Sequence, residues 1–138
     1  MGSTERPSME RLSKMLLRMA RSFDAALEDE ITPQKFLLLN NLLRMKKCKV
    51  NDLAQEVKLS SGATTLALNR LEKEGLILRS RDEEDRRIVW VELSEEGRSL
   101  ILRLVEKRHR VWEKMLSALT PEEEQEFFRL LEKMVNQL

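Results

Sequence analysis

Two short stretches of this 138-residue chain carry side chains whose types and spacing suit contact with a nucleic acid. The first is KLSSGATTLALNR, Lys58 to Arg70. Ser60, Ser61, Thr64 and Thr65 put four hydroxyls within six residues at the start of a helical pattern. Small hydroxyl residues let a helix approach a surface closely. They can bond base edges or phosphates, and a threonine methyl can touch a thymine methyl. Lys58 and Ser60 sit at the preceding turn, where they can hold backbone phosphates with help from the helix N-terminus. Asn69 and Arg70 come a turn or more later, within reach of phosphate. Ser60 and Thr64 read equally well as a cap and a helix-surface residue. The second stretch is RSRDEEDRRIVWVELSEEG, Arg79 to Gly97, in which eight of the first nine residues are charged. Arg86 and Arg87 at its tip are the kind of side chain that a narrow minor groove attracts. Asp85 is expected to pair with a neighbouring arginine and fix its direction. Asp82, Glu83 and Glu84 would repel phosphate, so they are expected to face away from it or to pair with Arg79 and Arg81.

Other chemistry has little to stand on. The single histidine, His109, lies mid-helix between Arg108 and Arg110 and reads as a partly exposed surface residue rather than a base. The carboxylates fall on helix faces or in runs such as Glu122 to Glu126, which suit solvated faces and helix N-termini. No Gly-rich phosphate loop, metal-ligand spacing or nucleophile elbow is present. No catalytic residue, metal or cofactor is therefore expected. Cys48, the only cysteine, excludes an internal disulfide framework, fits a reducing compartment and reads as an unremarkable thiol near a loop.

The elements that position the two stretches follow from periodicity and caps. Leu12, Leu16, Met19, Phe23 and Leu27 mark one face of a helix over Met9 to Leu27. Thr32 and Pro33 open a second helix, apolar nearly all round through Phe36 to Leu39, Leu42 and Leu43 and expected to be buried on most sides. A short helix from about Asn51 to Val57 buries Leu53, Ala54 and Val57. After a turn, Ser60 caps a helix running to about Glu74, its stripe being Ala63, Leu66 or Ala67, and Leu71. On that phase Ser61, Gly62, Thr64 and Thr65 are exposed. Gly75 ends it in a left-handed cap. Two short helices joined by a tight turn form a helix-turn-helix. Leu76 to Arg81 and Ile88 to Leu93 pair as a hairpin with a charged tip. Ser94 caps a helix of about 24 residues, and Thr120, Pro121 and Glu123 form a capping box for a last one reaching the C-terminus.

The chain is thus expected to be mainly α with a small β-hairpin. A winged helix-turn-helix spans residues 32–94. Residues 8–31 and 95–138 form helices whose apolar faces exceed what one small domain can cover, so they are expected to pack together and against a second copy. Residues before Pro7 are expected to be disordered. Charge adds a weak pointer: Arg44 to Trp90 carries 11 Lys/Arg against 8 Asp/Glu, whereas the whole chain is only +1. There is no long uncharged apolar run and no apolar leader, so no membrane span is expected and a cytoplasmic protein is the default.

Read together, LAQEVKLSSGATTLALNRLEKEGLILRSRDEEDRRIVWVELSEEG resembles the multiple antibiotic resistance regulator (MarR) family of winged-helix transcription factors. The likeness runs from about Ser8 onward and is most specific at Asn69 to Ile77 and at the wing. It implies a homodimer on double-stranded DNA with a pseudo-palindromic site. The recognition helix, 61–74, would enter the major groove and the wing, 79–93, the minor groove. Its Asp-x-Arg element falls on Asp85 and Arg87. It further implies a repressor, released by a small phenolic or otherwise anionic effector bound between the dimerisation and DNA-binding parts. Two positions depart from the pattern. Many members carry an arginine where this chain has Leu66, so base specificity must rest on the hydroxyls, the wing and DNA shape. The oxidation-sensing branch carries a cysteine near the start of the first helix, which is absent here. The alternative is a winged-helix protein-interaction module that does not bind DNA.

Overall fold

The computed structural model describes residues 7–138; the segment before Pro7, expected to be disordered, lies outside the described residues. The element order is α1 (Pro7–Ala25), α2 (Pro33–Met45), β1 (Lys47–Lys49), α3 (Val50–Val57), α4 (Ser61–Lys73), β2 (Ile77–Arg81), β3 (Val89–Leu93), α5 (Glu95–Leu116) and α6 (Pro121–Val135). Four helix starts follow the cap chemistry of the sequence. Thr32, Ser60, Ser94 and Thr120 each accept a backbone N–H from three residues on, and Thr120 with Glu123 completes the capping box. Gly75, at φ 75°, takes the left-handed conformation that ends α4.

The hairpin is a three-stranded antiparallel sheet in the order β1-β3-β2. The third strand, β1, is an addition to the two expected. It pairs Cys48 with Val91 and buries both. Burial pushes the Cys48 thiol up from its ordinary pKa, with the Asp52 charge adding to it, which disfavours the reactive thiolate.

The core gathers Leu38, Leu39 and Leu42 of α2, Leu53 of α3, Leu68 and Leu71 of α4, Ile77, Val91, and Ile101 and Leu104 of α5, all essentially closed to solvent. α2 is less enclosed than its composition suggested, since Leu37 and Asn40 lie exposed on one flank. Within α4 the buried stripe is Thr64, Ala67, Leu68 and Leu71. This settles the choice between Leu66 and Ala67 in favour of Ala67, with Leu66 pointing outward, and corrects one expectation: Thr64 is buried. A threonine survives there because its Oγ1 donates to the Ser60 carbonyl at 2.9 Å, leaving no unsatisfied hydroxyl.

The sheet and α5 meet at a close joint. Ser94 Oγ donates to the Gly75 carbonyl at 2.6 Å, and the Ser94 N–H donates to the Leu76 carbonyl. Gly97 is buried there, and a Cβ on it would lie 1.9 Å from the Leu76 oxygen. Only glycine lets α5 seat this closely on the start of β2. The long helix is thereby tied directly to the hairpin. Beyond the joint burial fades: α6 has no buried residue.

Candidate nucleic-acid interface

Burial of one α4 stripe fixes what the opposite stripe shows. Ser61, Gly62, Thr65, Leu66 and Arg70 are exposed, and Asn69 is half-buried. Nothing would meet a Cβ on Gly62 within 4 Å, so the start of the helix is open for approach. The hydroxyls, however, are engaged within the chain. Ser61 Oγ donates to Asn51 Oδ1 at 2.7 Å, and Thr65 Oγ1 donates to the Ser61 carbonyl at 2.8 Å. Ser60 Oγ accepts from the Ala63 N–H at 3.0 Å, which leaves its proton available to a phosphate. Thr64 is withdrawn from the expected contact set because its side chain faces the core. Lys58 is exposed in a left-handed turn at φ 55°, beside Asp52, Gln55 and Glu56.

The loop between β2 and β3 is held by its own acids. The Asp82 carboxylate accepts the Trp90 indole N–H at 3.0 Å and the backbone N–H groups of Glu84 and Asp85. The indole N–H, then the Asp85 N–H, hold its pKa below the ordinary aspartate value. Asp82 therefore serves as an internal brace of the tip. The expected pairing of the Asp82–Glu84 trio with Arg79 and Arg81 is not found. Arg79 makes a two-pronged pair with Glu72 on α4 at 2.8 and 3.0 Å, and Arg81 donates to the Arg86 carbonyl. Glu83 and Glu84 stay exposed at the tip, while Asp82, at the start of the turn, meets its backbone N–H groups and the Trp90 indole.

Asp85 and Arg87 form the pair expected of them. Arg87 Nε and Nη2 donate to the two Asp85 oxygens at 3.0 and 3.1 Å. The guanidinium first, then the Arg87 backbone N–H, lowers the Asp85 pKa. The Arg87 side chain remains 91% exposed. Its direction is set from one edge while the Nη1 edge faces solvent. Arg86 is exposed beside it.

A groove of about 400 Å³ joins the two stretches, lined by Lys49, Val50, Asn51, Thr65, Arg79, Arg87, Ile88 and Val89. It brings Thr65 and Arg87 together and leaves Lys58 outside. Lys49 and Asn51 belong to it and escaped the sequence reading. Their signal was the basic run KKCKVN, which became meaningful only once β1 placed it beside β3. Lys47 and Lys49 also lie 5.6 and 5.7 Å from the Trp90 ring centroid, within cation–π range. Among the described residues no cluster of His, Cys, Asp and Glu is arranged to hold a metal ion, and no helix is long and apolar enough to cross a membrane.

The geometry has close relatives. Residues 31–89 match the family model described as "MarR family". The chain is 37% identical over 123 residues to the uncharacterised HTH-type transcriptional regulator YwhA of Bacillus subtilis, covering 89% of this chain and 88% of that one. Its fold is similar to that of a MarR family protein from Bacillus stearothermophilus, with a TM-score of 0.85 and 29% identity over 99% of this chain and 97% of that one. It is also similar in fold to a point mutant of Staphylococcus aureus MepR bound to oligodeoxyribonucleotide. There the TM-score is 0.71 and the identity 24%, over 94% of this chain and 96% of that one. Similarity along most of its length, joined to a winged helix-turn-helix, places this chain in the MarR family of HTH-type transcriptional regulators, which are not enzymes.

Proposed function

We propose that the chain works as a homodimeric repressor on a pseudo-palindromic duplex, with 61–74 in the major groove and the wing, 79–93, in the minor groove. The observation that carries this is the single basic groove shared by α4 and the wing, in which Thr65 and a directed, open Arg87 stand together. Of the other expected contacts, Lys58, Ser60, Arg70 and Arg86 are exposed and suit phosphate, while Asn69 is half-buried. The division of labour proposed is 32–94 for DNA, and 8–31 with 95–138 for the dimer. Exposed Leu12, Leu16 and Leu17 on α1, with Phe128, Leu131 and Met134 on α6, support a second copy as the missing cover. Repression is the sign that the family resemblance implies.

The receptor proposed for an anionic or phenolic effector lies where α1, α2 and α5 meet. The half-buried Arg108 guanidinium stands 5.1 Å from the Phe23 ring centroid and 4.5 Å from that of Phe36, with Trp112 against Phe23. Arg108 has no carboxylate partner among the described residues.

Fluorescence anisotropy with a duplex from the gene's own upstream region tests the reading. Affinity should fall steeply as salt rises, because phosphate contacts release counterions. Arg87→Ala should weaken binding about tenfold or more, the usual worth of a groove-reading arginine, with an unchanged melting curve. No binding at low salt by an intact dimer would favour the protein-interaction alternative.

A further inference from the structure

The exposed face of α4 is short of polar groups that can read a base. Its core side, Thr64, Ala67, Leu68 and Leu71, is closed. On the outward side, the Ser61 proton goes to Asn51 and the Thr65 proton to the Ser61 carbonyl. With its hydroxyl turned back onto the helix, Thr65 offers its methyl. Gly62 offers Cα hydrogens, and Leu66 stands 64% exposed with its whole isobutyl group outward. The first side-chain N–H donors on this face are Asn69, half-buried, and Arg70. Arg70 lies nine residues past Ser61, about 14 Å along the axis at 1.5 Å per residue. Guanine is read in the major groove by donors to O6 and N7, and the first two turns of α4 present none that is free. They present methyl groups beside hydroxyl oxygens that can still accept. The base pair with the complementary face is A·T, whose thymine carries the C5-methyl and whose adenine N6 is a donor.

Resting on the DNA-binding reading above, we infer that Leu66, with the Thr65 methyl, is the specificity-determining element of the recognition helix and reads thymine methyls of A·T pairs in the major groove. The exposed leucine is then a reading head, and the absence of arginine at this position is a change of base preference. Minor-groove preference of the wing for narrow A·T tracts is a separate effect, because the thymine methyl lies only in the major groove.

The test begins with selection of bound duplexes from a random-sequence pool by the full-length chain. Each thymine of the selected half-site core is then replaced singly by deoxyuridine, which removes the methyl and keeps the pairing. The expected result is an A·T core and about a fourfold loss of affinity at the contacted thymine, the worth of one buried methyl-sized group. Leu66→Ala, at an exposed position that leaves folding intact, should bind the parent duplex more weakly and lose most of the sensitivity to deoxyuridine. Leu66→Arg should move the preference of a fresh selection toward guanine. A selected core of G·C pairs, or a parent affinity indifferent to deoxyuridine at every core thymine, overturns the inference while leaving DNA binding in place. Recovery of no duplex at low salt overturns both readings.

Discussion

The winged unit and the terminal helices treat their apolar residues in opposite ways. Among the described residues every buried hydrophobic side chain lies between Phe23 and Leu104, and the largest of them close a single core under the sheet, α2, α4 and the first half of α5. Outside that range Leu12, Leu16 and Leu17 of α1 and Phe128, Leu131 and Met134 of α6 are open, although their spacing is as regular as that of the core stripes. Amphipathic periodicity thus marks a face that must be covered without saying what covers it. In the winged unit the cover is the same chain. At the ends, a second copy is the proposed cover, and α1 is anchored near its C-terminal end by Phe23 against Trp112 and Arg108.

The sharpest way to break the comparison is to remove matched leucines. Leu104→Ala, in the closed core, should cost roughly 2–5 kcal/mol of stability. Leu16→Ala should cost the monomer little. Urea denaturation at low chain concentration separates the two; equal losses would place α1 in the same core as α5. Next in size is Gly97→Ala. With the Leu76 oxygen 1.9 Å from the new Cβ, α5 must move off the hairpin. A loss of roughly 1–3 kcal/mol or more is expected, as for an overpacked site, read as a fall in melting temperature. Because the joint carries the wing, DNA affinity should fall beyond what the lost stability explains.

A third change sharpens the contrast from the other side. Leu16→Glu on α1 should raise the dimer dissociation constant by roughly 30-fold, the loss of about 2 kcal/mol typical of an interface hot spot. Near-ultraviolet circular dichroism of the winged unit should be retained. The smallest expected effect is that of mild acid on the wing. Asp82 and Asp85 have folded-state pKa values depressed below the ordinary value of about 3.9. Their contribution is therefore fully present above that value and is lost only as pH falls through the lower folded values. Trp90 emission, read in a Trp112→Phe background, should stay constant from pH 8 to 5 and change only below about pH 4. Trp90 emission that stays unchanged through the acid range would show that the Asp82–Trp90 brace is absent in solution.

What the sequence disclosed follows the same division. The caps at Thr32, Ser60, Ser94 and Thr120 are local chemistry, and all four helix starts were legible from them. The Asp85–Arg87 pair was legible because it spans two residues of one turn. β1 was not: three residues, of which only Cys48 is buried, are too few for a period to show. The phase of α4 slipped for a related reason. Thr64 lies in line with Leu68 and Leu71 at helical spacing, but a hydroxyl in a buried stripe reads as surface until its bond to the Ser60 carbonyl is seen. Asp82 was misjudged because its partner, Trp90, reaches it across the hairpin. Contacts within a turn were predictable, and contacts that depend on which face another element covers were not.

Sedimentation equilibrium of the unaltered chain, in the absence of DNA, tests the central claim most directly. If the open faces of α1 and α6 are a dimer frame, the mass should be twice that of one chain at micromolar concentration, and Leu16→Glu should shift it toward that of one. A single-chain mass at every concentration, with the helices intact, would contradict the account.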